Sequence, residues 1–403
     1  MRNPLLLPIY VPTLLLAFCT GMLIPVMPLY AGSFNVSYGL VGLAVGSLGI
    51  GTLVGDLPTG VLLGRLGERR TMQIGLVSMA LCMFALSQSR SFPELVIYNF
   101  LAGVGSALWN ISRHMYLANA SASGQRGRSI AMFGGINRIG SFLGPVVGGY
   151  IGDTFGLGAP FLLYAIVAGI GFLFPTFFAV DHPREPGGHE LQRASWLTHV
   201  SALWRVARTE AHVLTPAGIG QLFAQMVRSG RQIIVPLYGA DMLGLDVQTI
   251  GWIVSISSFV DMSLFYPAGF IMDRFGRKFA YVPCFLIQGI GMALIPFTAG
   301  FSTLLGAAAL MGFGNGLGSG TMMTLGADLA PRQSMGEFLG IWRLVGDVGQ
   351  TGGPIITGSI ADALSLPVAT FVIAGVGVLA ALTLGLFVPE TLNRPTEARA
   401  VAD

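Results

Sequence analysis

One offset runs through the chain. Gly60 to Arg70 reads GVLLGRLGERR, and 209 residues later Gly269 to Phe279 reads GFIMDRFGRKF. At the same offset Pro58 recurs as Pro267, Gly67 as Gly276, Gly140 as Gly349, Gly144-Pro145 as Gly353-Pro354, and Asp153 as Asp362. A register held over about a hundred residues of each half marks an internal duplication. It restricts the chain to folds built from two like-sized units in tandem.

Composition says what those units are made of. The chain is 53% hydrophobic and 10% charged, against roughly 25% charged in a soluble domain, so most of it meets lipid. Its 57 glycines suit helices that pack closely in a membrane. A span needs about 20 apolar residues, and twelve would use about 240, which fits 403 residues with short loops. The expected spans are 5–30, 38–63, 71–89, 93–119, 128–152 and 158–180 in the first half. Those of the second half are 214–240, 248–272, 279–300, 302–330, 335–361 and 367–388. The expected architecture is an all-α membrane protein of twelve transmembrane helices in two six-helix, pseudo-symmetric bundles. Its parts are an N-terminal bundle at 1–180, a linker at 181–213, a C-terminal bundle at 214–390 and a tail at 391–403. Within the linker, Trp196, Leu197, Val200, Leu203, Trp204 and Val206 stand near helical spacing and predict an amphipathic helix on the membrane surface.

Of the 22 basic residues, 21 are Arg and one is Lys278. Five lie inside spans, Arg90 lies in a loop, and the rest fall in segments that share one side of the membrane. The positive-inside rule places that side, with both termini, in the cytoplasm. The basic residues sit at helix ends and form no soluble basic face, so nucleic acid is not an expected partner. Cys19, Cys82 and Cys284 all fall in apolar spans and read as packing residues. No metal-ligand spacing, nucleophile–base set or nucleotide loop is present; the GxG fragments at Gly103–Gly105 and Gly312–Gly314 lie inside spans. No enzyme activity and no cofactor or metal is expected.

The loop built on Gly60, Arg65, Gly67, Arg69 and Arg70 resembles the signature between helices 2 and 3 of the major facilitator superfamily. Its second copy keeps Gly269, Asp273, Arg274, Gly276, Arg277 and Lys278, whereas the first has Gly64 where the pattern has Asp and Glu68 where a basic residue is common. In span 5, Gly140, Gly144, Pro145, Gly148 and Gly149 resemble the antiporter signature GxxxGPxxGG; span 11 keeps Gly353 and Pro354 but has Thr357 for one glycine. The glycines make a flat helix face and the proline bends the helix. Pro25 and Pro28, ending span 1, resemble a shorter pattern of twelve-helix drug exporters. Asn99 stands where the related pattern in helix 4 has an Arg tied to proton coupling, which removes that route.

Charges inside the spans are the candidate site, because each costs about 2.5–3.5 kcal/mol or more at the bilayer centre unless paired or hydrated. They are Arg113 in span 4, Arg138 in span 5, Arg228 and Arg231 in span 7, and Arg343 in span 11, with Asp56, Asp261 and Asp347 in spans 2, 8 and 11. In the superfamily, spans 1, 4, 7 and 10 line a central cavity and spans 2, 5, 8 and 11 form the seam between halves. The resemblance therefore implies that Arg113, Arg228 and Arg231 face the cavity, where guanidinium forks match carboxylate or phosphate. It implies seam or gating roles for Arg138 with Asp261, and for Arg343 with Asp347 or Asp56. The competing reading of each is a structural ion pair. The implied function is alternating-access secondary transport driven by the proton gradient, resembling the drug–proton antiporter branch. The expected substrate is a small amphipathic compound, anionic or zwitterionic because five Arg face three Asp. Cationic drug export, nutrient uniport or symport, and a non-transporting membrane sensor are the alternatives. The expected setting is a bacterial inner membrane, with a monomer in lipid.

Overall fold

The structure, a computed structural model, describes residues 5–120, 126–179 and 196–392, with the side chains of 126–133, 196–200 and 202 excepted. Residues 181–195 of the expected linker and 393–403 of the expected tail lie outside the described residues. The first six helices are α1 (Val11–Gly32), α2 (Tyr38–Leu66), α3 (Glu68–Ser87), α4 (Phe92–Ala120), α5 (Arg126–Phe155) and α6 (Ala159–Phe178). A linker helix, Trp196–Thr209, leads into α7 (Ala211–Leu237), α8 (Val247–Ser263, continued by Phe265–Arg274) and α9 (Lys278–Leu294). Then come α10 (Phe301–Leu317 and Thr321–Leu329), α11 (Met335–Ala363) and α12 (Leu366–Phe387). The fold is all-α, with twelve spans in two bundles of six.

Local chemistry sets several of the boundaries. The Asp246 carboxylate accepts the Thr249 N–H at 2.6 Å and caps α8. Ser365 caps α12, where Pro367 fits the first turn. The continuous span expected at 302–330 is instead broken: Gly320 adopts a left-handed φ of +76° and splits α10 in two. Eight helices are long and apolar enough to cross a membrane on length and composition alone. The other four spans are the broken α10 and the charge-bearing α5, α7 and α11. Apolar side chains such as Phe177, Phe297 and Leu386 are more than two-thirds exposed, a surface that only lipid makes favourable.

Successive spans alternate in direction, so the α2–α3, α8–α9 and linker connections share one end of the bundle, here the linker end. The opposite end is the far end. Within each half α1 packs on α5 and α7 on α11; between halves, α2 meets α11 and α5 meets α8. The two seams are related by the repeat. A methyl on Gly42 would overlap the carbonyl oxygen of Pro354, and one on its repeat mate Gly251 would overlap that of Pro145. Likewise Gly358 lies on the Tyr38 carbonyl and Gly149 on that of Val247. The far end is further tied by Tyr38 Oη to Asp241 (3.0 Å) and by Gly39 N–H to Asp362 (2.8 Å).

At the linker end the α8–α9 loop is locked. Gly276, with φ +122°, lets the chain turn against Glu390. The Glu390 carboxylate accepts the N–H groups of Arg277 (2.8 Å) and Lys278 (3.0 Å) at the start of α9. The Arg277 guanidinium reaches Asp328 at 3.0 Å and Asp273 at 2.9 Å. The repeat mates of Arg277 and Asp328 are Glu68 and Asn119, which pair through Asn119 Nδ2 at 2.5 Å. Arg69 is spent on the Thr176 carbonyl of α6, and Arg65, Arg70 and Arg274 stand exposed. The linker helix docks on α11 through a small cluster of Val206, Leu214 and Phe338, leaving Trp204 exposed.

Packing at the glycines and the cap at Glu390 can each be tested by thermal unfolding. Gly148 faces the Met22 backbone, so Gly148→Ala is expected to cost about 1–3 kcal/mol by overpacking. Gly60 has no atom within 4 Å of the place its methyl would occupy, and is expected to tolerate Ala or gain up to ~1 kcal/mol. Melting temperatures of the two variants check both. At Glu390, partial burial pushes the carboxyl up, but the N–H bonds from Lys278, Leu392 and Arg277 outweigh this and hold it below its ordinary 4.5. A carboxylate depressed in the folded state stabilises above its unfolded value, and that stability is lost as pH falls through the folded one. The melting temperatures of wild type and Glu390→Gln should therefore differ at neutral pH and converge as pH drops below 4.5.

Candidate substrate cavity and cross-seam ion pairs

Between the halves lies a cavity of about 350 Å³ lined by α1, α2, α4, α7 and α11, with Met83 of α3 and Tyr164 of α6. Leu23, Met27, Leu53 and Met83 give it an apolar wall, and Asn99, Asn110, Gln232 and Gln350 supply amides. Its charged residues are Arg343 and Asp347, both from α11. An apolar pocket with a few convergent polar groups suits a small amphipathic molecule.

Arg343 stands between two carboxylates. Its Nε is 3.5 Å from Asp347 one turn along α11, and its Nη2 is 4.0 Å from Asp56 across the α2–α11 seam. Arg343 is 57% exposed, so neither contact is a sealed salt bridge. One oxygen of Asp56 is buried without a partner. Two acids thus share one guanidinium beside the cavity.

The other seam has the opposite balance. Arg138 of α5 donates to Asp261 of α8 at 3.2 Å and to the Ser319 hydroxyl at 2.9 Å, at the break in α10. Asn315 donates to the second Asp261 oxygen at 2.7 Å, and the Arg138 guanidinium lies 4.7 Å from the Phe265 ring. Behind Asp261, Arg228 donates to the Gly318 carbonyl at 3.2 Å and stacks on Phe285 at 5.2 Å. Arg231 lies within electrostatic reach of Asp261, Arg228 and Cys284.

The placement of Arg113, Arg228 and Arg231 corrects the cavity-facing expectation, since none of them lines the cavity. Arg113 is buried inside the first bundle, donating to Asn110 (2.8 Å) and lying 5.3 Å from the Trp109 ring. Arg228 and Arg231 turn into the core of the second bundle. At the break in α10 the Gly318 carbonyl accepts from Arg228 beside the Thr321 hydroxyl, and Asp261 supplies an opposite charge within reach of Arg231. Their span neighbours Ser229 and Gln232 reach the cavity instead.

The groups that connect the halves carry no mark within their own spans. Ser255 of α8 donates to the Phe142 carbonyl (2.8 Å) and accepts the Val146 N–H (3.0 Å) of α5. Both groups flank Pro145, where the helical ladder is interrupted, so a hydroxyl from the other half bridges the bend in the GxxxGPxxGG stretch. A lone serine in an apolar span has no periodic signal. Ser319 and Asn315 are equally plain in sequence; only the break in α10 gives them a direction.

Comparison with known proteins fits this geometry. The family model for the Major Facilitator Superfamily matches residues 10–227 and 217–402. An uncharacterized MFS-type transporter, MJ1560 of Methanocaldococcus jannaschii, is 19% identical over 89% of this chain and 91% of its own. The uncharacterized MFS-type transporter YcaD of Escherichia fergusonii is 27% identical over 73% of this chain and 74% of its own. Among solved structures, a D-xylose–proton symporter superposes with a TM-score of 0.74 at 19% identity, covering 95% of this chain and 98% of that one. A mutant of the nucleoside transporter NupG gives 0.76 at 15% identity, covering 96% and 100%. With its duplicated loop motif, its twelve spans and a family match along nearly its whole length, the chain belongs to the Major Facilitator Superfamily of multi-pass membrane transporters.

Proposed function

We propose that this transporter couples protons to the efflux of a small amphipathic compound bearing an anionic or zwitterionic group. The observation that carries the reading is the Asp56–Arg343–Asp347 group in and beside the cavity wall. Two carboxylates sharing one guanidinium leave one acid in excess, which a proton neutralises. Arg343, freed from a protonated partner, offers its fork to a substrate carboxylate. Proton binding then alters the cross-seam contact with Asp56, and the substrate moves the balance between states only as far as it binds one better than the other. Arg138 and Asp261 form a second pair that rocking of the halves breaks. Arg113 acts in this scheme by holding α4 against α1.

Export as the direction rests on the likeness of Gly140–Gly149 to the antiporter signature. The arginine-rich linker end is assigned to the cytoplasm with both termini, in a bacterial inner membrane, and the protein works as a monomer in lipid. A second reading, uptake of a neutral polar nutrient, is favoured by the amide lining of Asn99, Asn110, Gln232 and Gln350. The similar D-xylose–proton symporter and NupG are named as transporters of such molecules.

Proteoliposomes with a trapped pH dye test both. Anions or zwitterions added under an imposed gradient should evoke counter-directed proton movement. Arg343→Gln should lower that flux at least about tenfold, the size of one lost charge-assisted hydrogen bond. Asp347→Asn should leave substrate exchange but uncouple it from protons. Proton movement in the same direction as a neutral sugar or nucleoside would replace efflux with symport. Response to cations alone would overturn the assignment of Arg343.

A further inference from the structure

The interior of the second bundle holds more positive charge than its own residues neutralise. Arg138 pairs with Asp261, Arg231 lies within electrostatic reach of it, and Arg228 lies within reach of Arg231: three guanidiniums to one carboxylate, which leaves two positive charges. Among the described residues no other carboxylate pairs with Arg228 or Arg231. The N–H groups at Arg228 Nε and Arg231 Nη1 are buried and have no acceptor. The polar neighbours do not help: Asn315 presents its amide N–H to Asp261, and Ser319 is occupied by Arg138. Guanidinium in a membrane interior is costly unless paired or hydrated, and the one acid here does not match three of them. The site is separate from the central cavity, whose lining contains none of these three arginines.

We infer that Arg228 and Arg231, with Arg138 at the rim, form a site for one small anion, and that the α5–α8 seam sets its occupancy. With the seam closed, Asp261 is shared with Arg138 across the halves and with Asn315, and an anion offsets one of the two positive charges left uncompensated at Arg228 and Arg231. When α5 swings away it takes Arg138 with it. One positive charge leaves, Asp261 turns to Arg228 and Arg231, and the need for an anion falls. The anion therefore binds the seam-closed state more tightly and favours it. This shares with the transport reading only the parting of Arg138 from Asp261; the substrate group of that reading, Arg343, lies at the other seam. The anion is either free, such as chloride, or the carboxylate of a larger molecule.

The test is thermal unfolding of the full-length protein in lipid nanodiscs, at constant ionic strength, as methanesulfonate is exchanged for chloride or for acetate. Constant ionic strength removes general screening, and a ligand that binds only the folded state raises the melting temperature in a saturable way. A saturable rise with chloride assigns a free anion; a rise with acetate alone assigns a carboxylate group. The rise should vanish in Arg231→Gln and persist in Arg231→Lys, which keeps the charge. Asp261→Asn removes the one acid and should tighten the apparent anion affinity several-fold, which decides the matter if Arg231→Gln does not fold. No saturable rise with either anion overturns the site. So does a rise that is the same in wild type and Arg231→Gln, or an affinity unmoved in Asp261→Asn. Loss of transport with the anion response intact would instead count against the Arg343 reading alone.

Discussion

Everything that moves or binds in this protein is arranged around two places where backbone meets backbone across the seam. Gly42 sits on the carbonyl of Pro354, and Gly251 on the carbonyl of Pro145. Only a residue without a side chain allows two helices to approach so closely. The repeat places these contacts at matching heights in the two halves, so they define one pseudo-symmetric axis. The ion pairs lie nearer the linker end than these contacts. A pivot at the glycines therefore turns a small tilt of the halves into a larger separation of Arg138 from Asp261 and of Arg343 from Asp56.

The duplication preserved this geometry and abandoned the charges. Arg138 and Asp347 are repeat mates, as are Asp261 and Thr52. What is a cross-seam ion pair at one seam is thus an acid facing a threonine at the other. Arg343 and Asp56, which bridge that second seam, correspond to Gly134 and Phe265 at the first. The same exchange occurs in the loops, where Arg277 with Asp328 corresponds to Glu68 with Asn119. The lock at the α8–α9 loop therefore contains full charges and a carboxylate-capped helix, whereas its first-half counterpart is an amide–carboxylate contact. The two seams respond to different things because of this: the α2–α11 seam has an excess acid beside the cavity, and the α5–α8 seam has excess guanidinium behind it.

Sequence conveyed the fold well because the features that encode it are periodic or repeated. A constant offset, long apolar runs and paired Gly-Pro steps each survive without knowledge of tertiary contact, and they located the spans. The candidate site was only partly legible. Arg343 and Asp347 are four apart on one helix, so their proximity can be read directly. Arg228 and Arg231 share a helix face by the same rule, but which way that face points was decided elsewhere. The left-handed Gly320 breaks α10, and at the break the Gly318 carbonyl accepts from Arg228 as well as from Thr321. Ser255 was illegible for a related reason. Its importance comes from an interrupted hydrogen-bond ladder on a helix more than a hundred residues away.

Ser255 also shows why the two proline bends are not interchangeable. Its repeat mate is Gly46, which packs against the Ile355 side chain and the Thr351 carbonyl. At the α5–α8 seam a hydroxyl of one half bridges the Phe142 carbonyl and Val146 N–H of the other, so separating the halves there breaks two hydrogen bonds between them. At the α2–α11 seam the contact at this height is a side chain lying against glycine, which slides without loss of a hydrogen bond. At this height the α5–α8 seam is consequently the more tightly bonded of the two, and it is also the seam at which Arg138 and Asp261 lie behind the bend. In the proposed proton-coupled cycle, a proton at Asp56 or Asp347 acts at the α2–α11 seam, and the parting of Arg138 from Asp261 at the other seam belongs to the same rocking of the halves.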